Sequence, residues 1–197
     1  MARRVFFSFH YQNDIWRASN IRNSGEFKSV DEAGFIEHSL WERTKTAGEA
    51  ALQKLIEGQL DGSTVTAILA GAETYSRRWV RYEIARSLER GNGLISLDIH
   101  SVRDQSQKPS VQGPDPLDCM MLTLSGDGKT ATTHVYDFGS KAWKAHMNIS
   151  AAKFPSALVT AKSGKLSAFY KRYDWVASDG HRNFSSWVED AAKYAGR

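Results

Sequence analysis

The chain has little cysteine: Cys119 stands alone among 197 residues. That excludes an intramolecular disulfide and any zinc site built on cysteines, and it suits a reducing compartment. Long apolar runs are absent too, and none approaches a membrane span. Arg3-Arg4 has the charge of a secretory n-region, but the apolar run behind it ends at Phe9, too soon for an h-region. A soluble, cytoplasmic protein is expected. Basic charge is thin, with 26 Lys and Arg against 22 Asp and Glu for a net charge of +4. Its densest clusters are Arg77-Arg78 with Arg81, and Lys171-Arg172. Nucleic-acid binding asks for a concentrated stripe with interleaved aromatics, so these clusters read as solvated faces. Neither nucleic acid nor a membrane is expected as a partner. His38, His146 and His181 have no carboxylate or histidine at ligand spacing, and His134 alternates with Tyr136 as a half-buried strand residue. No metal site is expected.

Aromatic residues, by contrast, are plentiful: six Trp, seven Tyr and nine Phe can build a substantial core and a ring-lined pocket. The length suits one domain over 1–197. Arg4-Val-Phe-Phe-Ser-Phe9 is apolar almost throughout, as in a strand buried on both faces of a parallel sheet. A helix is predicted over 14–23, with Ile15, Ala18 and Ile21 or Arg22 on one face. Phe35-Ile36 reads as a short second strand, and Trp41 as a core residue. Thr46-Ala-Gly-Glu49 has the form of a capping box, and Leu52, Leu55, Ile56 and Leu60 follow at helical spacing, predicting a helix over 46–60.

Ser63 to Leu69 is β-branched and apolar and predicts a third strand. Behind it Ser76 is placed to cap a helix whose buried stripe is Val80, Ile84 and Leu88, stopped by Gly91-Asn92-Gly93. Leu94 to Ile99 is a fourth strand, closed by His100. Repeated alternation of strand and helix implies a parallel sheet with helices on both faces, of flavodoxin-like type, over 1–118. The remainder differs. Residues 101–118 hold Pro109, Pro114 and Pro116 and read as a long loop. Met120–Leu124 and Thr132–Phe138 flank a Gly-Asp-Gly turn, an antiparallel hairpin, with a third strand over 141–147. This makes 119–150 an insertion. A closing segment over 151–197 carries a helix that starts near Asn183 and buries Trp187, Val188, Ala191 and Ala192. No internal repeat is present.

In such a sheet ligands sit beyond the C-terminal strand ends, where connections diverge to opposite faces. That puts the crevice between Ser8-Phe9-His10 and Gly71-Ala72-Glu73, with Glu83 on the helix leaving the third strand and His100 at the end of the fourth. The turn after the first strand has no glycine, which excludes the glycine-rich phosphate loops there. The third strand ends in Gly71-Ala72, where a response regulator needs an acceptor aspartate. Phe9, Tyr11, Trp41 and Trp79 are candidates to wall the pocket and stack on a nucleobase or nicotinamide ring. Taken bare, Glu83 with Arg86 three residues on reads as a surface ion pair.

Arg4 to Tyr11, Ile21-Arg-Asn23, Ser39-Leu-Trp-Glu42 and Glu73-Thr-Tyr-Ser-Arg-Arg-Trp-Val-Arg-Tyr-Glu-Ile84 together resemble the TIR-like domain of the Thoeris anti-phage defence system. Tyr173-Asp-Trp-Val176 and Asn183 to Val188 extend the likeness. Its most specific part, Ser-x-x-Trp-x-x-x-Glu, is shared by enzymatic TIR domains in general. The resemblance implies a flavodoxin-like fold with NAD as substrate and no separate cofactor. It implies cleavage of the nicotinamide–ribose bond and a cyclic ADP-ribose-type signal that activates a separate effector protein. It also implies a phage-derived trigger and a homo-oligomer when active. Glu83 matches the catalytic glutamate; Ser8, Phe9, His10 and Tyr11 match the pocket loop. Where the family pattern implies Gly-x-Asn-Pro, this chain has Gly113-Pro-Asp115-Pro116, so Asp115 would alter how ribose or diphosphate is held. A non-catalytic TIR-like interaction module and a nucleoside deoxyribosyltransferase-like enzyme are the rival readings.

Overall fold

Strand β1 (Arg3–Phe9) opens the sheet in chain order and is buried across Val5 to Ser8. The computed structural model describes residues 3–23, 30–33, 44 and 46–197. After β1 come α1 (Tyr11–Arg22), β2 (Val30–Ala33), α2 (Glu49–Leu60), β3 (Val65–Ala70), a 3-10 turn (Thr74–Ser76), α3 (Arg78–Arg90) and β4 (Gly93–Asp98). An antiparallel excursion follows, with β5 (Met120–Leu124), β6 (Thr130–Asp137), β7 (Ala142–Ser150), α4 (Ser156–Ala161) and β8 (Ser163–Lys165). The chain then returns through β9 (Lys171–Asp174) to α5 (Gly180–Tyr194).

Five strands pair in parallel in the order β2-β1-β3-β4-β9, the flavodoxin-like order with its switch point between β1 and β3. Every residue of β3 and β4 is buried, as two covered faces require. Side chains alternate across β1, so Val5 and Phe7 join Ala18 and Ile21 of α1 and Phe184, Trp187 and Val188 of α5. Phe6 turns the other way, onto Ile56 and Leu60 of α2. Ser8 shares the Phe6 face. The face of α3 that carries Val80, Ile84 and Leu88 packs on Ile68, Leu94 and the apolar side of the second sheet, among them Met120, Leu122, Ala131 and Ile149. That second sheet has the order β7-β6-β5-β8.

The expected hairpin is present, with Leu124 opposite Ala131 and Asp127 Oδ1 accepting from Ser125 Oγ and the Lys129 amide in the turn. Gly91 ends α3 in the left-handed region at φ 72°. Several expectations need correction. The helix expected from residue 46 begins at Glu49, because Gly48 at the cap position holds φ 99° and breaks the turn. Helix α1 starts at Tyr11, and its buried face is Asp14, Arg17, Ala18 and Ile21, with Ile15 only half-buried. Ser76 does not cap α3: its hydroxyl donates to the Glu73 carbonyl at 2.8 Å within the 3-10 turn, and Arg77 occupies the cap position. A second strand lies at Val30–Ala33; the expected Phe35-Ile36 strand falls outside the described residues, as does Trp41. Strands β8 and β9 are further elements, short and largely polar. Among the described residues no helix is long and apolar enough to cross a membrane.

Candidate active site

Two polar side chains meet where α3 crosses the C-terminal end of β1. Ser8 must face α3 because its neighbours Phe7 and Phe9 pack on the α1 and α5 side. On α3, Glu83 and Ser87 lie one turn apart beside the apolar stripe, and both are buried. Ser87 Oγ and Thr66 Oγ1 of β3 are 2.7 Å apart. Glu83 Oε2 accepts from Ser8 Oγ at 2.5 Å. The helix thus carries a narrow polar edge across β1 and β3, and Glu83 is its end nearest the ligand side of the sheet.

Glu83 is only 6% exposed. Burial pushes its carboxyl up to about 8, and the Ser8 hydroxyl offsets part of that rise. Arg86 is not its partner: the guanidinium pairs with Glu57 and Glu89, and Glu57 also receives Tyr82 Oη and Arg90 Nη2, each at 2.8 Å. The surface ion pair suggested by spacing is therefore absent. Glu83 sits on the sheet side of α3 and Arg86 on the side facing α2.

A cleft of about 190 Å³ opens at Glu83, lined by Phe6, Phe7, Phe9, His10, Tyr11, Gln12, Arg77, Arg78, Trp79 and Val80. The rings of Phe9 and Tyr11 are 5.9 Å apart, and those of Trp79 and Tyr82 meet edge to face at 5.8 Å. His10 is 7% exposed, with Nδ1 3.9 Å from Glu73 Oε2. Burial and then the nearby Arg77 cation lower its imidazole to about 4, so the ring is neutral at pH 7. Glu73 bonds Arg77 and accepts from Asn13 Nδ2 at 3.3 Å, tying the segment after β3 to α1.

The crevice was expected between the ends of β1 and β3; the cleft lies between the β1 end with the start of α1 and the first turns of α3, and Gly71, Ala72 and Glu73 are not in its lining. Ser8 contacts Glu83 from below, and Phe9, His10, Tyr11 and Trp79 line the opening. Ala72, His100 and Asp115 do not line it. Asp115 is buried and turned inward, accepting from Ser96 Oγ at 2.8 Å and the Leu117 amide at 3.0 Å, so it fixes the loop after β4 rather than reaching a ligand in the cleft. His100 Nδ1 faces Asp174 Oδ2 of β9 at 3.9 Å. The Ala72 carbonyl lies under Gly113, where a Cβ would come within 2.5 Å of it. Among the described residues no group of three His, Cys, Asp or Glu side chains could hold a metal ion.

Arg77 and Gln12 are among the lining residues beyond those expected, and Asp14 is a buried neighbour of the segment after β3. Arg77 belonged to a cluster taken as solvated, yet it lines the cleft; its i, i+4 relation to Glu73 was the available signal. Gln12 lines the cleft from the first turn of α1. Asp14 is buried against Gly71 and Thr74, and burial raises its carboxyl to about 6. Its spacing to Ala18 and Ile21 placed it on the buried stripe of α1.

The family described as Thoeris protein ThsB, TIR-like domain, matches residues 6–104, the span that runs from within β1 through β4 and contains every lining residue of the cleft. A Bacillus cereus (strain MSX-D12) protein named "Putative cyclic ADP-D-ribose synthase ThsB1" is 40% identical over 193 residues, covering 95% of this chain and 100% of the relative. The parallel β2-β1-β3-β4-β9 sheet is in keeping with both likenesses. This chain belongs to the Thoeris ThsB family of TIR-like proteins.

Proposed function

We propose that the chain cleaves NAD at the nicotinamide–ribose bond and closes the remainder into a cyclic ADP-ribose signal. The observation that carries this reading is Glu83, a carboxyl buried beneath a ring-lined cleft and held by Ser8. The name of the Bacillus cereus relative points to the same product class.

Nicotinamide leaves as a neutral molecule, taking the electron pair of the bond, so the leaving group needs no proton. The positive charge passes to the ribose, which becomes oxocarbenium-like. A carboxylate beside it stabilises that charge and accepts from the ribose hydroxyls, most strongly in a site that excludes water. Before substrate arrives, burial keeps Glu83 protonated at pH 7. Arrival of the cationic nicotinamide ring favours the carboxylate, so substrate binding itself releases the proton and charges the site. Phe9, Tyr11 and Trp79 offer faces for the ring, and Arg77 at the rim suits the diphosphate.

At about 190 Å³ the cleft is smaller than the roughly 300–1,000 Å³ of a site that engulfs a ligand. It takes the nicotinamide riboside end, and the adenosine end folds back over the opening. That folding is what cyclisation needs, since the internal nucleophile must lie near the anomeric carbon. The family resemblance extends the proposal to a diffusible signal that reaches a separate effector protein, a phage-derived trigger, and a homo-oligomeric active form in anti-phage immunity. Incubation with NAD and with deoxynucleosides in lysate from phage-challenged cells, with products resolved by mass spectrometry, tests it. Nicotinamide and cyclic ADP-ribose are expected. Base exchange on deoxynucleosides would favour the deoxyribosyltransferase reading, and no turnover of either would favour an interaction module.

A further inference from the structure

We propose that Glu73 sets how tightly the cleft takes a diphosphate: it holds Arg77 in the resting chain and must release it when a dinucleotide binds. The inference rests on the NAD reading above and adds to it a residue that governs affinity from outside the cleft lining.

Among the described residues two arginines line the cleft, and each is already paired with a carboxylate. The two pairs differ. Arg78 meets Glu49 of α2 through Nη1 and Nη2, one carboxylate oxygen each, and its guanidinium carbon lies 5.2 Å from the centre of the Trp79 ring. That forked pair backed by a ring uses the guanidinium fully. Arg77 meets Glu73 through Nη2 and the single oxygen Oε2, while its Nε is buried with no hydrogen-bond partner. The Nε and Nη2 edge of a guanidinium matches two oxygens of a phosphate. A diphosphate at Arg77 therefore fills a donor that Glu73 leaves empty, so Arg77 is the cation that gains by changing partners.

Glu73 has a place to go when Arg77 leaves. Its Oε2 already accepts from Asn13 Nδ2 at 3.3 Å. His10 Nδ1 lies 3.9 Å from the same oxygen and is also buried without a partner. The imidazole is neutral, and a carboxylate beside Nδ1 favours the tautomer that carries its proton there. A shift of about 1 Å closes that gap to a hydrogen bond. The resting pair thus leaves two buried nitrogens unpaired, on Arg77 and on His10, and the exchanged arrangement satisfies both. Until the exchange Glu73 opposes a diphosphate twice, by occupying Arg77 and by its own like charge. The side chains of Arg77 and Glu73 are 37% and 51% exposed, so solvent weakens their pair enough for a phosphate to displace it.

The test uses two probes: carbocyclic NAD, whose bond to nicotinamide is not cleaved, and nicotinamide riboside, which has no phosphate. Both are titrated against the full chain and its Glu73→Gln, Arg77→Gln and doubly substituted variants at low and high salt, with folding verified by a thermal melt. Glu73→Gln should bind carbocyclic NAD roughly two- to fivefold more tightly, the scale of one exposed ion pair, through faster association at low salt. Its affinity for nicotinamide riboside should stay where it was. Arg77→Gln should weaken carbocyclic NAD by roughly tenfold, and on that background Glu73→Gln should bring little further change. Unchanged or weaker binding of carbocyclic NAD by folded Glu73→Gln would overturn the proposal. So would an equal gain for nicotinamide riboside, or a full gain that persists without Arg77. Failure of the unsubstituted chain and every variant to bind either probe would instead overturn the NAD reading itself.

Discussion

Ser8 on β1 and Glu83 on α3, 75 positions apart in the chain, share a buried hydrogen bond of 2.5 Å at the ligand end of the parallel sheet. The hydroxyl is the group that draws the Glu83 carboxyl downward against the effect of burial. In the proposed reaction the carboxylate is the working form, so kcat/KM for NAD should rise with pH through about 8 in the unsubstituted chain. Ser8→Ala removes the donor and should move that rise to higher pH, with the largest loss of activity near neutrality. A pH–rate profile of both proteins checks it; superimposable profiles would show that the bond does not tune Glu83.

The same burial has a cost in stability. The folded-state value of about 8 lies above the ordinary 4.5, so the folded chain holds a proton that the unfolded chain releases. Stability from this group is complete below about pH 4.5 and is lost as pH rises towards 8. Glu83→Gln keeps the shape without the charge. It should raise the melting temperature at pH 8.5 and change it little at pH 4.5. In a chain of this size about 1 kcal/mol corresponds to roughly 2–4 °C, within reach of a thermal melt.

Gly71 tests how the cleft loop is anchored. A Cβ at this position would lie 2.2 Å from Asp14 Oδ2 and 2.6 Å from the carboxyl carbon. Thr74 Oγ1 also accepts from the Gly71 amide at 2.9 Å, which leaves the backbone little room to yield. Gly71→Ala should destabilise the fold by about 1–3 kcal/mol, the usual cost of overpacking. Asp14→Ala in the same chain should recover part of it. Additive losses in denaturant melts of the double variant would contradict the contact.

Much of this architecture was legible because periodicity and burial agree. Arg4–Phe9, Val65–Leu69 and Leu94–Leu97 are apolar on both faces and became the inner strands. The α3 stripe and the Gly91 stop follow from local chemistry. The hairpin declared itself through Asp127-Gly128. Strand β9 did not, because Lys171-Arg-Tyr-Asp174 is an edge strand whose place depends on β4 beside it and α5 behind it. Arg172 reaches across to Asp98 at 2.8 Å, so its charge serves the sheet and was not visible as such.

At the site, the topology placed Ser8, Phe9, His10 and Tyr11 at the β1 end correctly, since strand order determines that edge. The partner of Glu83 was illegible. Spacing pointed to Arg86, whereas the helix's rotation on the sheet decides the contact, and long-range packing sets that rotation. Asp115 lies outside the cleft lining for a related reason: Ser96, a buried hydroxyl on β4, holds the carboxylate. Sequence position alone could not show that competition.

The central claim is that Glu83 is the group on which NAD cleavage depends, and Glu83→Gln tests it most directly. The substitution preserves shape and the Ser8 contact but cannot supply negative charge. Nicotinamide release and cyclic product should be measured by mass spectrometry in phage-challenged cells expressing either protein, with folding verified by a thermal melt. The expected result is a folded variant whose nicotinamide release falls by at least about 10²–10³-fold, the scale of losing one electrostatic stabiliser. A folded Glu83→Gln variant that releases nicotinamide at the original rate would contradict it.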